Sequence, residues 1–251
     1  MMNKLFFFFL LIVLFYLLEF FFFYNDPKKI NRKKHFKVNI LFSIVSYIFL
    51  KFLLFIIVYF NIDFFSFKLF TLPNHLSFLY FIILDFFIYL QHVLSHRLDW
   101  FWALHKVHHA DHFLDTSSGL RFHPLEIVVS YLYKMLVVII IGVPKEIFVL
   151  YEIMLSAMAL FNHSNIKIPH FIDKYLRLIL VTPSFHYVHH STENDEMNSH
   201  YGNTLSIWDR IFRTYKRDSL DSDHIVIGLK NVSKKRADSF KEMLLFPLGR
   251  D

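Results

Sequence analysis

His105-Lys106-Val107-His108-His109 carries three histidines spaced three and four residues apart. On a helix that spacing aims them at one point. Working outward, His92-Val93-Leu94-Ser95-His96 lies just before it, and His186-Tyr187-Val188-His189-His190 lies far downstream. Together the three stretches hold eight of the chain's 16 histidines. Imidazole is the commonest protein ligand for redox-capable first-row metals. Eight convergent ligands are too many for one ion, so the pattern predicts a site for two metals.

The surroundings are apolar. Of 251 residues, 55% are hydrophobic and 20% aromatic, with 33 phenylalanines and 5 glycines, and the mean hydropathy is +0.39. A soluble domain of this size is more polar. The expected fold class is all-α: a polytopic helical membrane protein forming a single membrane domain, 1–251. With no cysteine, disulfides, thiolate-bound clusters and a cysteine nucleophile are excluded. The net charge of +6 reads as basic loops on the cytoplasmic side of a membrane, not as nucleic-acid binding.

Residues 5–24 are apolar except for Glu19 and are long enough to span a bilayer, which needs about 20 residues. A cleaved signal peptide is the competing reading, but no small-x-small cleavage site follows, and a retained anchor is expected. Residues 25–37 hold Lys28, Lys29, Arg32, Lys33, Lys34 and Lys37, a basic loop expected in the cytoplasm. Further spans are expected over 40–60, where Lys51 must snorkel or face inward, and over 76–94. In the latter, Asp85, Tyr89, His92 and His96 form one polar stripe at helical spacing. Two more apolar segments, 125–142 and 144–161, meet at a turn marked by Gly142 and Pro144, as a full or a shallower hairpin. Glu152, Ser156, Ala159 and His163 share a face of the second. Residues 168–183 read as interfacial and amphipathic, and the polar stretch beyond 191 as lacking a span. Three regions result: membrane helices and basic loop over 1–75, a catalytic region over 76–215, and a polar tail over 216–251. This topology places every histidine cluster at one membrane face, the cytoplasmic one. His35, His75, His170, His200 and His224 are expected at the surface or interface, and His112 as a support for the adjacent cluster.

The residues also carry a resemblance. Asp85, His92 and His96-Arg97 come first, then His105 to His109, Arg121-Phe122-His123-Pro124-Leu125-Glu126, and Asn162-His163-Ser164-Asn165. Pro183-Ser184-Phe185-His186 to His190 follow, then Tyr201-Gly202-Asn203, Trp208-Asp209-Arg210 and Thr214-Tyr215. In order and spacing these pieces resemble the fatty acid hydroxylase/sterol desaturase superfamily of membrane-bound di-iron enzymes. Two positions depart from its pattern: His200 stands where asparagine is usual, and Arg213 where glycine is usual.

The resemblance implies hydroxylation, desaturation or a related oxidation of a lipid, with two iron ions and O2 as co-substrate. No HPGG-type haem segment is present, so electrons are expected from a separate protein of the cytochrome b5 or ferredoxin/reductase type. The expected metal ligands are His92, His96, His105, His108, His109, His163, His186, His189 and His190, with His123 either a tenth ligand or a helix-start histidine. Neutral imidazoles leave two divalent ions short of compensating charge, so acids are expected nearby. Asp85, Glu126, Glu152 and Glu193 are the candidates for orienting imidazole N–H groups, Asp85 through a ligand histidine or Tyr89. Asn165 and Asn203 are expected to hold a metal-bound water or shape the site. Two rivals keep the histidines but change the chemistry. A zinc hydrolase needs only three or four protein ligands per ion. A metal transporter or sensor is expected to place ligands at the bilayer midplane. The substrate class stays open, as does the membrane: bacterial inner membrane or endoplasmic reticulum.

Overall fold

The computed structural model describes residues 4–26, 30–60, 62–66, 69–216 and 225–249. Among them there is no strand, only three isolated bridges. The long helices are α1 (Lys4–Phe21), α2 (Arg32–Tyr59) and α3 (Phe78–Arg97), then, after the shorter α4 (Asp99–His109), α5 (Pro124–Ile141) and α6 (Lys145–His163). Short helices follow: α7 (His170–Leu176), α8 (Pro183–His189), α9 (Asn194–Met197), α10 (Ile207–Ile211), α11 (Lys234–Ala237) and α12 (Phe240–Leu245).

Local chemistry explains the boundaries. The Asn31 side chain accepts from Lys34 N and caps α2. α5 starts on Pro124 with Glu126 in its first turn, and it ends at Gly142, whose φ of 67° closes the helix in the left-handed conformation. Thr182 caps α8 ahead of Pro183.

α2, α3, α5 and α6 are long and apolar enough to cross a membrane, yet only 11–33% of each span is buried in the protein. The remaining apolar surface, with Phe52, Phe55, Leu132, Leu136 and Leu150 outward, suits lipid and not water. Lys51 is on this outer surface, its ammonium over the Tyr47 ring. α2 packs on α5 and α1 on α6, while α3 touches α4, α5 and α6. The last turns of α3 and α6, all of α4 and the start of α5 gather at one end. At the other end Tyr80 Oη donates to the Gly142 carbonyl.

Several expectations need correction. The basic stretch 25–37 is not a loop throughout: α2 begins at Arg32, and Lys28 and Lys29 lie outside the described residues, as does His224. His35 is therefore buried on the inner face of α2, its Nε2 2.9 Å from Asp111. His200 is buried too, stacked between Phe185 and Tyr215. His75 and His170 are exposed as expected. Glu19 does not merely interrupt an apolar run. It accepts from Thr116 N and Oγ1, from Asn165 N and from Arg32, tying α1 to three other segments. α7 turns Phe171, Ile172 and Tyr175 outward and buries Asp173 against Arg177 just past its end, as an interfacial helix does. Residues 225–249 are not a solvated tail: Leu229, Val232, Ala237, Met243 and Phe246 share a core with Val38, Phe42, Val107 and Ala110. His112 belongs to this packing, since its Nε2 donates to the Val232 carbonyl.

Candidate metal centre

Nine histidines converge in two abutting groups. His92, His96, His105, His109 and His189 form one, and His108, His163, His186 and His190 the other, with the ligand atoms in each within 4.8 Å of one another. α3 supplies His92 and His96, α4 supplies three, His163 ends α6, and α8 with its cap supplies His186, His189 and His190. The groups touch where His109 and His190 stack at 4.5 Å.

Hydrogen bonds fix the tautomers. Nδ1 of His92 faces the Tyr201 carbonyl (2.8 Å), His108 that of Arg121 (3.1 Å), His163 that of Ala159 (2.7 Å) and His189 that of Ser199 (2.7 Å). His105 Nδ1 lies 2.6 Å from Glu126 Oε1. A carbonyl only accepts, so these nitrogens carry the proton and donate. Each neutral ring then has a bare lone pair on Nε2. Burial holds His108, His109, His186, His189 and His190 well below the usual histidine pKa, and neighbouring imidazoles lower them further.

The result is a set of lone pairs with nothing to bind in the protein. His92, His96, His105 and His189 each have a buried Nε2 without a partner. In the second group His108 Nε2 faces His163 Nε2 at 2.9 Å, two acceptors with no proton between them. His186 Nε2 lies 3.0 Å from His163 Nε2 and 3.1 Å from His190 Nε2. Two imidazole nitrogens bound to one ion at about 2.1 Å and at right angles stand about 3.0 Å apart. The donor set therefore fits a cation in each group, and an all-nitrogen, neutral set suits Fe, Zn, Cu or Ni better than Mg or Ca.

Surrounding residues lock this arrangement. Phe122 stacks on His108 at 4.4 Å and Trp102 packs on His96 at 4.9 Å. Gly119 brings the turn before Arg121 against α6, where a Cβ would stand 2.7 Å from the Ala159 carbonyl, the acceptor for His163. Asp209 accepts from Tyr201 N and Gly202 N, holding the loop whose carbonyl orients His92. Arg121 is fully buried and donates to the carbonyls of Val107 and Ala237 and to Asn39 Oδ1. It fastens the turn bearing His108 to α2 and to the C-terminal segment. Arg121 is part of the quoted resemblance, but nothing in the sequence marks it as buried or as a tie between segments.

Other expected site residues fall elsewhere. His123 is in neither group: its Nδ1 accepts from Leu125 N and its Nε2 donates to the Leu244 carbonyl, leaving no lone pair for a metal. It is the cap of α5. Of the four acids, Glu126 alone meets a cluster histidine. Asp85 accepts from Leu205 N and Trp208 Nε1, not from a histidine or Tyr89. Tyr89 Oη bonds Thr214. Glu152 pairs with Lys134, and Glu193 pairs with Lys230 at the surface. The Asn165 carboxamide bonds the Asn25 backbone on both sides. Asn203, beside Asn162, lines a cavity.

That cavity, of about 570 Å³, reaches from His92, His105, His108, His163 and His186 down between α2, α3, α5 and α6, with mostly apolar walls. Its size suits a chain-like ligand.

Comparisons with known proteins agree with this geometry. A family model described as Fatty acid hydroxylase matches residues 77–214, which contain all nine histidines. Alkylglycerol monooxygenase of Caenorhabditis elegans is 29% identical over 58% of this chain and 28% of its own length. The Homo sapiens protein of the same name is 28% identical over 65% of the chain and 36% of its own length. Ornithine lipid hydroxylase OlsE of Rhizobium tropici is 27% identical over 67% of the chain and 49% of its own length. The chain thus spans half or less of these relatives. No solved structure matches it significantly. With the family model covering more than half of the sequence and the histidines gathered as described, the chain belongs to the fatty acid hydroxylase family.

Proposed function

We propose that this protein is a membrane-bound di-iron oxygenase that uses O2 to hydroxylate a lipid drawn from the bilayer. The observation that carries the proposal is the junction of two partnerless imidazole groups with an apolar cavity between membrane helices. Iron bound there would supply the O2-reducing power that an unactivated C–H bond demands. His92, His96, His105, His109 and His189 would hold one ion, and His108, His163, His186 and His190 the other. Glu126 keeps the His105 proton on Nδ1 and brings one negative charge to the centre. The Tyr201, Arg121, Ala159 and Ser199 carbonyls do the same orienting work without charge. The cavity walls bring a chain to the histidines and exclude water around it.

Hydroxylation is favoured over desaturation because the relatives reported above are named as monooxygenases and hydroxylases. Electrons come from a separate protein of the cytochrome b5 or ferredoxin/reductase type. The centre faces the cytoplasm in this reading, in a bacterial inner membrane or the endoplasmic reticulum; Lys33, Lys34 and Lys37 at the histidine end of α2 support it. The test is reconstitution with Fe²⁺, a reductant and isotopically heavy O2, followed by mass spectrometry of added membrane lipids. A lipid carrying one heavy oxygen atom is the expected product. Product labelled only from heavy water would point to a hydrolase instead.

A further inference from the structure

The far end of the cavity is charged, and the chemistry at the histidines does not use it. Lys134 on α5 and Glu152 on α6 both line the cavity, Nζ standing 2.7 and 2.9 Å from the two carboxylate oxygens. Ionisable side chains inside a membrane span are costly and tend to be functional. Helix packing does not require this pair. α5 and α6 are already joined by the Gly142 turn and by an apolar cluster that includes Met135, Val138, Phe148 and Tyr151. A half-buried ion pair adds little net stability, because desolvation and the ordering of two long side chains offset the attraction.

The pair also ends a polar line. Glu126, Ser130 and Lys134 recur every four residues and share one face of α5. Glu126 holds His105, Ser130 bonds Gln91, and Lys134 bonds Glu152. Lys134 lies eight residues past Glu126 and Glu152 eleven before His163, so at 1.5 Å per residue the pair is about 12–16 Å along the helices from the centre.

We infer that this end of the cavity binds an uncharged polar group of the substrate, a hydroxyl or carbonyl carried at that distance from the oxidised carbon. The inference rests on the reading of the cavity as the lipid site and narrows the substrate class to chains that carry such a group. The choice of an uncharged group follows from electroneutrality. Lys134 and Glu152 cancel, so a lone carboxylate or ammonium would leave a net charge in a poorly solvated place. A hydroxyl instead donates to a Glu152 oxygen and accepts the remaining N–H of Lys134.

The test needs no metal, O2 or reductant. Metal-free protein in detergent is titrated with dodecane and with dodecanol. Wild type is expected to bind the alcohol about tenfold more tightly, the size of a hydrogen bond to a charged group. The double variant Lys134→Met/Glu152→Met replaces the pair by apolar side chains, and its preference is expected to fall within about twofold of none. The inference is overturned if wild type binds both chains equally or neither, or if the double variant keeps the preference. The wild-type comparison stands even if the variant does not fold. A failure of the metal chemistry would appear in iron content and labelled product, and not in this titration.

Discussion

Glu126→Gln probes how the protein holds one metal group without touching a ligand. In the structure His105 Nδ1 and Glu126 Oε1 are 2.6 Å apart with both side chains about 5% exposed, so solvent screens the contact little. Glutamine keeps the shape and an accepting oxygen but loses the charge. A hydrogen bond to a charged group is worth about 1.5–3 kcal/mol and a neutral one about 0.5–1.5. The difference, about 1–1.5 kcal/mol, is a loss of about tenfold in affinity for the ion at His92, His96, His105, His109 and His189. That lies at the lower edge of the 10–100-fold typical of groups that orient metal ligands. Glu126→Ala leaves the His105 N–H buried without a partner and is expected to cost nearer a hundredfold. The assay is anaerobic Fe²⁺ competition against a chromophoric chelator, which resolves two binding steps. One step should weaken and the other, at the four-histidine group, should not. Equal weakening of both steps, or of neither, would refute the claim that Glu126 serves one group through His105.

His123→Ala should lower stability by about 0.5–2 kcal/mol through loss of the α5 cap while the metal content stays unchanged; loss of an ion would make His123 a ligand after all. Arg121→Met strands the Val107 and Ala237 carbonyls and Asn39 without their donor, and thermal melting should show a loss of about 3 kcal/mol or more. Arg213→Gly should stabilise by about 0.5–1 kcal/mol, because Arg213 sits at φ 59°, where relief of about 1–2 kcal/mol outweighs glycine's entropy of about 0.5–1. An unchanged or lower melting temperature would count against that backbone conformation. Cysteine introduced at the exposed Lys34, in a chain with no native cysteine, should resist an impermeant reagent applied outside the cell; labelling from outside would place the centre on the opposite face.

How far the sequence could be read depended on the range of the interaction. The histidine clusters were legible because i, i+3 and i+4 spacing is local, and so was the Gly142–Pro144 turn. The stripe through Asp85 was correctly helical, but its partner Trp208 is more than a hundred residues away, and no pattern within α3 announces that. The carbonyls of Ser199, Tyr201, Ala159 and Arg121 orient four ligands, and a backbone acceptor leaves no mark in the side-chain pattern. Charge hid the inner face of α2: His35, Asn39, Phe42 and Ser46 are buried at helical spacing, yet Lys33 and Lys34 before them and Lys37 among them read as a loop. The C-terminal segment misled in the same way, since Ala237, Phe240, Met243 and Phe246 face the core at intervals of three among charged neighbours. His200 and Arg213, the two departures from the family pattern, both adopt positive φ, 54° and 59°. Asparagine and glycine are favoured in that conformation for steric reasons.

The central claim is that two neutral imidazole groups each hold an ion. Metal analysis of protein purified anaerobically from iron-supplied cells tests it most directly. The account predicts two metal ions per chain, iron in the active form, falling to one when His163 and His186 are both replaced by alanine. One ion or none in the unaltered protein would contradict it.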